Sequence, residues 1–270
     1  MNTPAFVNRL LESRFAEKWV RGRSFNERLH LLDKAWATLN KGLDCRERYR
    51  LCKRASDLRM HNLAVCPSEA QARAYGFFRL IETIKDVEGD IVECGVGRGV
   101  SVASIVYAVS LFRLSKVVYA FDSFAGFPKA SPEDVGERVK QSGAVPEGWT
   151  DTSPEMVSEI LMADRELKES LLRTRDVELR IIPGFFEKTM PDKLPAKIAL
   201  LHVDADLYES VKVATERALS RLSNGALVVF DEYHEKRWPG PKKAVDELCA
   251  RHGLQVIFLE SARRYGIRIP

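Results

Sequence analysis

Acids fall where apolar runs stop. Glu93 lies in Ile91-Val92-Glu93-Cys94 just before a glycine turn, Asp122 follows Val117 to Phe121, Asp204 follows Ile198 to Val203, and Asp231-Glu232 follow Ala226 to Phe230. A buried strand that ends on an acid delivers its carboxylate to the edge of a sheet, where ligands of open α/β sheets bind. Three kinds of chemistry follow from those placements.

The first is in Glu93-Cys94-Gly95-Val96-Gly97-Arg98-Gly99. Glycines at a strand-to-helix turn let the backbone approach a ligand closely and present N–H groups from a helix start. The spacing is G-x-G-x-G, not the dinucleotide G-x-G-x-x-G. A carboxylate beside free amides suits a zwitterion better than a pyrophosphate, and the amino-acid end of S-adenosylmethionine is a zwitterion. The second is Asp122 in Tyr119-Ala120-Phe121-Asp122-Ser123-Phe124, placed where a Rossmann-like site accepts both ribose hydroxyls. The third is the trio Asp204, Asp231 and Glu232, which neighbouring parallel strands bring to one edge. Three crowded carboxylates repel one another and have raised pKa values unless a cation joins them. An oxygen-only set suits Mg²⁺, with Ca²⁺ or Mn²⁺ as alternatives. His202 and His234 lie close by and read as structural or substrate contacts, not as metal ligands.

The elements that position these groups alternate regularly from Pro67 onward. Ala70, Ala74, Phe77, Ile81 and Ile84 mark one face of a helix that Ser68 can cap. Strands are expected at Ile91–Cys94, Val117–Phe121, Leu179–Ile182, Ile198–Val203, Ala226–Phe230, Gln255–Leu259 and Gly266–Ile269. Helices are expected at 100–112, 208–222 and 241–252. The strands are near-continuous apolar runs, as in strands covered on both faces, so the fold class is α/β with a mostly parallel, doubly wound sheet. Residues 124–176 interrupt the alternation with a long Pro- and Gly-containing insertion. Ser131-Pro132-Glu133-Asp134 and Thr152-Ser153-Pro154-Glu155 look like helix starts within it. Its position after a C-terminal strand end reads as a lid over the site, and a surface excursion is the alternative.

Composition excludes several classes. The chain has 270 residues, 45% hydrophobic and 30% charged, too apolar for a disordered chain. Its net charge of +4 is unevenly spread: residues 1–62 hold 14 Lys/Arg and 7 Asp/Glu, net +7, which leaves net −3 for the rest. An acidic body without an aromatic-plus-basic groove argues against nucleic acid. Five scattered cysteines without a C-x-x-C pair argue against a disulfide framework or zinc knuckle and fit a reducing, cytoplasmic setting. The start shows no signal-peptide pattern, and the most apolar run, 100–112, is shorter than the ~20 residues that span a bilayer. Residues 1–66 read as an N-terminal helical extension. Leu29, Leu32, Trp36, Leu39 and Leu43 form a short a/d seam, which favours a helix packed on its own domain over a zipper. A homodimer through these helices is the assembly they suggest.

Five ordered blocks carry a family resemblance. Glu93-Cys94-Gly95-Val96, Phe121-Asp122-Ser123-Phe124-Ala125-Gly126-Phe127-Pro128, Ile182-Pro183-Gly184-Phe185-Phe186-Glu187-Lys188-Thr189-Met190-Pro191, Leu201-His202-Val203-Asp204-Ala205-Asp206-Leu207-Tyr208 and Val229-Phe230-Asp231-Glu232-Tyr233 resemble, in order and spacing, the macrocin O-methyltransferase family. Its members methylate sugar hydroxyls of macrolide and aminocoumarin antibiotics with S-adenosylmethionine and Mg²⁺. The resemblance covers about residues 65–252 and implies a class I methyltransferase domain over 67–270, with the lid at 124–176. It implies Glu93, Gly95 and Gly97 near the methionine end of the cofactor, Asp122 and Ser123 at the ribose, and Gly184 and Phe185 near the adenine. It also implies Asp204, Asp231 and Glu232 on the metal, with Asp204 as general base. The chain departs from the family where Gly97 replaces an aromatic and Glu232 replaces a second Asp. The Thr-Met element that precedes the family's first domain helix has no counterpart around Ala64-Val65-Cys66.

The expected function is methylation of a small hydroxylated acceptor, sugar-like or glycosylated, with no membrane or nucleic-acid partner. A catechol-type O-methyltransferase would use the same carboxylates, and Phe124, Phe127 and Trp149 in the lid suit a flat acceptor. A non-catalytic nucleoside-binding domain whose +7 arm docks an acidic partner is the reading outside catalysis.

Overall fold

The structure is a computed structural model that describes residues 69–136, 150, 152–163, 177–234, 238–260 and 262–270. The basic N-terminal arm with its Leu29–Leu43 seam, Ser68, and Trp149 of the lid lie outside the described residues.

The first helix, α1 (Glu69–Thr83), ends at a turn into β1 (Asp90–Cys94), α2 (Val100–Leu111) and β2 (Val118–Asp122). The insertion contributes a short 3-10 turn at Pro132–Asp134 and helix α3 (Pro154–Ala163). Then come β3 (Leu179–Pro183), α4 (Phe186–Lys193), β4 (Ile198–Val203), α5 (Tyr208–Leu219), β5 (Leu222–Phe230), α6 (Pro239–His252), β6 (Ile257–Leu259) and β7 (Arg264–Arg268). The seven strands lie in the order β3-β2-β1-β4-β5-β7-β6. All pairs from β3 to β5 are parallel, and β7 is antiparallel to both β5 and β6. This is the α/β, doubly wound, mostly parallel sheet expected from the strand–helix alternation. Among the described residues, no helix is long and apolar enough to cross a membrane.

Alternation along the strands splits the core in two. Ile91, Val118, Ala120, Leu200, Leu227 and Val229 face one side with Phe77, Ile81 and Ile84 of α1 and Val102, Ile105 and Val109 of α2. Val92, Cys94, Phe121, Leu201, Val203, Val228 and Phe230 face the other side with Met190, Val211, Ala214, Val245 and Leu248 of α4 to α6. The fully buried Phe77, Ile81 and Ile84 each contribute about 1.5–3 kcal/mol of hydrophobic stabilisation. Helix α2 is apolar around most of its circumference because it shares a core with the sheet, α1 and Val157 of the insertion.

Several boundaries differ from the sequence expectation. β5 begins at Leu222, in residues read as the end of a helix, and α5 stops at Leu219. β7 begins at Arg264, ahead of Gly266, so that Tyr265 pairs with Phe230 and Arg264 reaches the sheet edge. The Ser131–Asp134 segment makes a capping box but only a three-residue 3-10 turn, because Asp134 is drawn into another helix's cap.

Candidate active site

Register gathers the strand-end acids. Glu93 of β1 sits directly opposite His202 of β4, and Val203 is opposite Phe230 of β5. Asp204 and Asp231 therefore leave adjacent parallel strands at the same edge, one residue beyond a paired position. Glu93 and His202 share a face of the sheet because their strands are parallel and in register.

The glycine turn is shaped by close packing. Gly95 has φ +92°, and a Cβ there would lie 1.8 Å from the Asp204 carbonyl oxygen. Only a residue without a side chain lets the ends of β1 and β4 meet this closely. Gly99 caps α2 in a left-handed conformation, and a Cβ on it would sit 2.9 Å from Val157 Cγ1 of helix α3 in the insertion. Val157 is fully buried, so this part of the insertion is packed over the turn, as a lid would be.

Asp122, the residue expected at a ribose, braces the turn. Its Oδ2 accepts the Val96 and Gly97 N–H groups at 2.8 and 2.9 Å, and its Oδ1 accepts the Phe124 N–H at 2.8 Å. The Val96 and Gly97 amides that the sequence reading left free for a ligand are thus held by a carboxylate that retains an outward lone pair on Oδ1. The Ser123 hydroxyl donates to the Gly126 carbonyl at 2.7 Å and accepts from the Ala125 N–H, which sets the turn that follows β2. Gly184 donates to the Asp122 carbonyl at 2.8 Å, which brings Gly184 and Phe185 beside the ribose candidates.

The acid cluster is crowded as foreseen. Glu232 is 8% exposed, and its carboxyl is held well above the usual carboxylate range by burial and by Asp204, Asp206 and Asp231, with a hydrogen bond to Asp204. His202 is fully buried; its Nδ1 lies 3.0 Å from Glu93 Oε1 and its Nε2 3.9 Å from Asp231 Oδ1. Burial lowers the imidazole pKa, but Asp231 and Glu93 outweigh it and hold it at about 9. With no exposed surface, His202 offers nothing to a substrate directly. Among the described residues, His202, Asp204 and Asp231 offer ligand atoms within 4.8 Å of one another, a set that differs from the expected one by His202 in place of Glu232.

Two residues escaped sequence reasoning. Arg264 Nε donates to Asp231 Oδ1 at 2.9 Å while its guanidinium lies over the Phe77 ring at 4.9 Å. Asp134 Oδ1 accepts the Tyr208 N–H at 2.7 Å, which caps α5 immediately after the Asp204-Ala205-Asp206 turn. Asp134 is legible only as part of the helix start at Ser131–Asp134, and Arg264 has no motif around it; both contacts depend on packing between distant segments. The Cys94 thiol, next to Glu93, is fully buried and its pKa is pushed up by desolvation, so it is no nucleophile.

Comparisons with known proteins agree with this architecture. A family described as Macrocin-O-methyltransferase (TylF) matches residues 55–259. A mycinamicin III 3''-O-methyltransferase from Micromonospora griseorubida is 27% identical over 186 residues, 66% of this chain and 67% of that protein. An 8-demethyl-8-(2,3-dimethoxy-alpha-L-rhamnosyl)-tetracenomycin-C 4'-O-methyltransferase from Streptomyces olivaceus is 31% identical over 163 residues, 57% of each chain. A demethyldecarbamoylnovobiocin O-methyltransferase from Streptomyces niveus is 29% identical over 176 residues, 62% of this chain and 60% of that one. The chain thus spans about three fifths of the length of the latter two. Among solved structures, the O-methyltransferase NovP superposes with a TM-score of 0.59 at 25% identity, covering 77% of this chain and 82% of that one. The calicheamicin methyltransferase CalS11 shares the fold, with a TM-score of 0.61 at 23% identity, over 83% of this chain and 91% of that one.

Proposed function

Because this chain belongs to the macrocin O-methyltransferase family, we propose that it transfers a methyl group from S-adenosylmethionine to a hydroxyl of a sugar or glycosylated natural product, assisted by a divalent cation. The observation that carries the reading is the meeting at one sheet edge of a glycine turn braced by Asp122 with the Asp204, Asp231 and Glu232 cluster. The relatives supply the acceptor class, since they are named for methylating glycosylated antibiotics.

The cluster fits a cation: three acids crowd together, and the buried Nε2 of His202 beside them has no hydrogen-bond partner. Asp204, Asp231 and Glu232 would hold it, and when bound it would polarise the acceptor hydroxyl and lower its pKa. Asp204, on the strand end nearest the glycine turn, takes the hydroxyl proton as the methyl C–O bond forms and the S–CH3 bond of the sulfonium breaks, releasing S-adenosylhomocysteine. Arg264 keeps the Asp231 carboxylate oriented through its Nε–H. Asp122, with Ser123, Gly184 and Phe185 around it, seats the nucleoside part of the methyl donor, while Glu93, Gly95 and Gly97 shape the floor under its methionine part. The lid, through Val157 and the Asp134 clamp, excludes water and fixes the approach of the two reactants, which is where much of the rate enhancement of a two-substrate transfer originates.

Phe127 and Trp238 rings, 5.7 Å apart and tilted, favour a second reading in which a flat catechol-like acceptor is held against the lid. A panel of deoxysugar glycosides and catechols, incubated with S-adenosylmethionine and Mg²⁺ and followed by mass spectrometry, separates the two. Methylation of glycosides alone supports the first reading; methylation of catechols alone replaces it with the second; no cofactor binding by calorimetry overturns both.

A further inference from the structure

One buried side chain in the site is aimed at the acids without serving any hydrogen bond there. His202 Nε2 has no hydrogen-bond partner although the residue has no exposed surface. The other ring nitrogen, Nδ1, is 3.0 Å from Glu93 Oε1, directly across the β1–β4 pairing. Nε2 lies 3.9 Å from Asp231 Oδ1, too far for a hydrogen bond. Ligand atoms that share an ion at about 2.1 Å sit about 3–4 Å apart, depending on the angle between them. Phe77 and the imidazole meet edge to face with centroids 4.9 Å apart, and the Arg264 guanidinium lies over the Phe77 ring while donating to Asp231, so Phe77 is held against the imidazole. A carboxylate on one nitrogen, with the carboxylates of Asp204 and Asp231 offering ligand atoms within 4.8 Å of the imidazole's, is the arrangement of a metal-binding histidine with its orienting partner.

We propose that His202 Nε2 is an additional, direct ligand of the cation held by Asp204 and Asp231, and that Glu93 is the positioning residue that fixes the imidazole. The inference rests on the metal-dependent reading above. A nitrogen donor makes the site a mixed N/O one, which favours Mn²⁺, Co²⁺ or Zn²⁺ over Mg²⁺, whose preference is for an all-oxygen shell. This chain therefore differs in metal preference from what its strand-end acids alone imply.

The test uses the full-length protein, freed of metal and loaded with Mn²⁺, and reads ¹⁴N coupling to the bound ion by pulsed electron paramagnetic resonance. A histidine nitrogen coupling is expected in the unmodified protein and in His234→Gln, and its loss in His202→Gln. Calorimetry should show Mn²⁺ binding more tightly than Mg²⁺, with Glu93→Gln weakening Mn²⁺ binding about 10–100-fold. Bound Mn²⁺ without nitrogen coupling, or coupling that survives in His202→Gln, overturns the inference and leaves the metal-dependent reading standing. Failure of the unmodified protein to bind either ion overturns that reading itself. The spectrum of the unmodified protein decides the matter even if His202→Gln does not fold.

Discussion

The carboxylate of Asp134 and the backbone N–H of Tyr208 are 2.7 Å apart across 74 residues of chain, so the first turn of the insertion caps the helix that follows Asp204. The same carboxylate accepts the Ser131 N–H and hydroxyl through Oδ2. Asp134 is 1% exposed and Tyr208 is 7% exposed, so a lost partner here leaves a buried donor unsatisfied. Asp134→Ala should destabilise the fold by about 1–3 kcal/mol, measured by urea unfolding. It should also raise the KM for the acceptor, because the lid stem and the Asp204 turn lose their common anchor. An unchanged unfolding midpoint would remove the clamp from the account.

Asp204→Asn keeps the shape of the side chain and removes its basicity. Turnover should fall by about 10²–10⁴-fold, the span of a general base's contribution, while calorimetric binding of S-adenosylmethionine stays close to that of the unmodified protein. Retention of full turnover would exclude Asp204 as the base.

Gly95→Ala tests the close approach of β1 and β4. A Cβ 1.8 Å from the Asp204 carbonyl oxygen cannot be accommodated without parting the strand ends, and overpacking of this kind costs about 1–3 kcal/mol. Both the melting temperature and metal affinity should drop together, since the same carbonyl belongs to Asp204, the proposed anchor of the cation. A variant with lowered stability and unaltered metal affinity would show that the turn and the cluster are uncoupled.

Proton and metal should compete for the cluster. The folded Glu232 holds its proton above its ordinary 4.5, through burial first and then the neighbouring acids. His202 holds its proton from 6.5 up to about 9, because Asp231 and Glu93 outweigh its burial. Both pKa values are raised on folding, so the stability these groups contribute is present at low pH. It is lost from above 4.5 for Glu232 and between 6.5 and about 9 for His202. Metal-free protein should accordingly lose thermal stability as pH rises through this window, and added Mg²⁺ or Mn²⁺ should restore more stability at pH 8.5 than at pH 6. A metal-induced shift in melting temperature that is the same at both pH values would contradict the competition.

Much of the site was legible as text. Glu93, Asp122, Asp204, Asp231 and Glu232 stand where apolar runs end, and a parallel sheet puts such ends at one edge. Helix α1 was legible from the spacing of Phe77, Ile81 and Ile84, all fully buried. The helix-to-strand change at Leu222 was not, because Leu219, Leu222 and Ala226 fit a helical spacing as well as a strand's apolar run. The hydrogen bonds from the Val96 and Gly97 amides to Asp122 and from the Ser123 hydroxyl to Gly126 were not legible either, because they follow from how two strand ends meet.

The amino-acid sequence by itself determined the fold class, the family and the edge at which the acids collect, because each follows from local periodicity and from short motifs whose spacing survives in one dimension. Only the tertiary structure decided that Asp231 is held by Arg264 from an antiparallel strand 33 residues on, that Asp134 caps a distant helix, and that His202 is sealed between Glu93 and Asp231. Those relationships join segments 33 to 109 residues apart. They depend on how helices and hairpins pack onto the sheet, which fixes distances and burial that spacing along the chain does not encode.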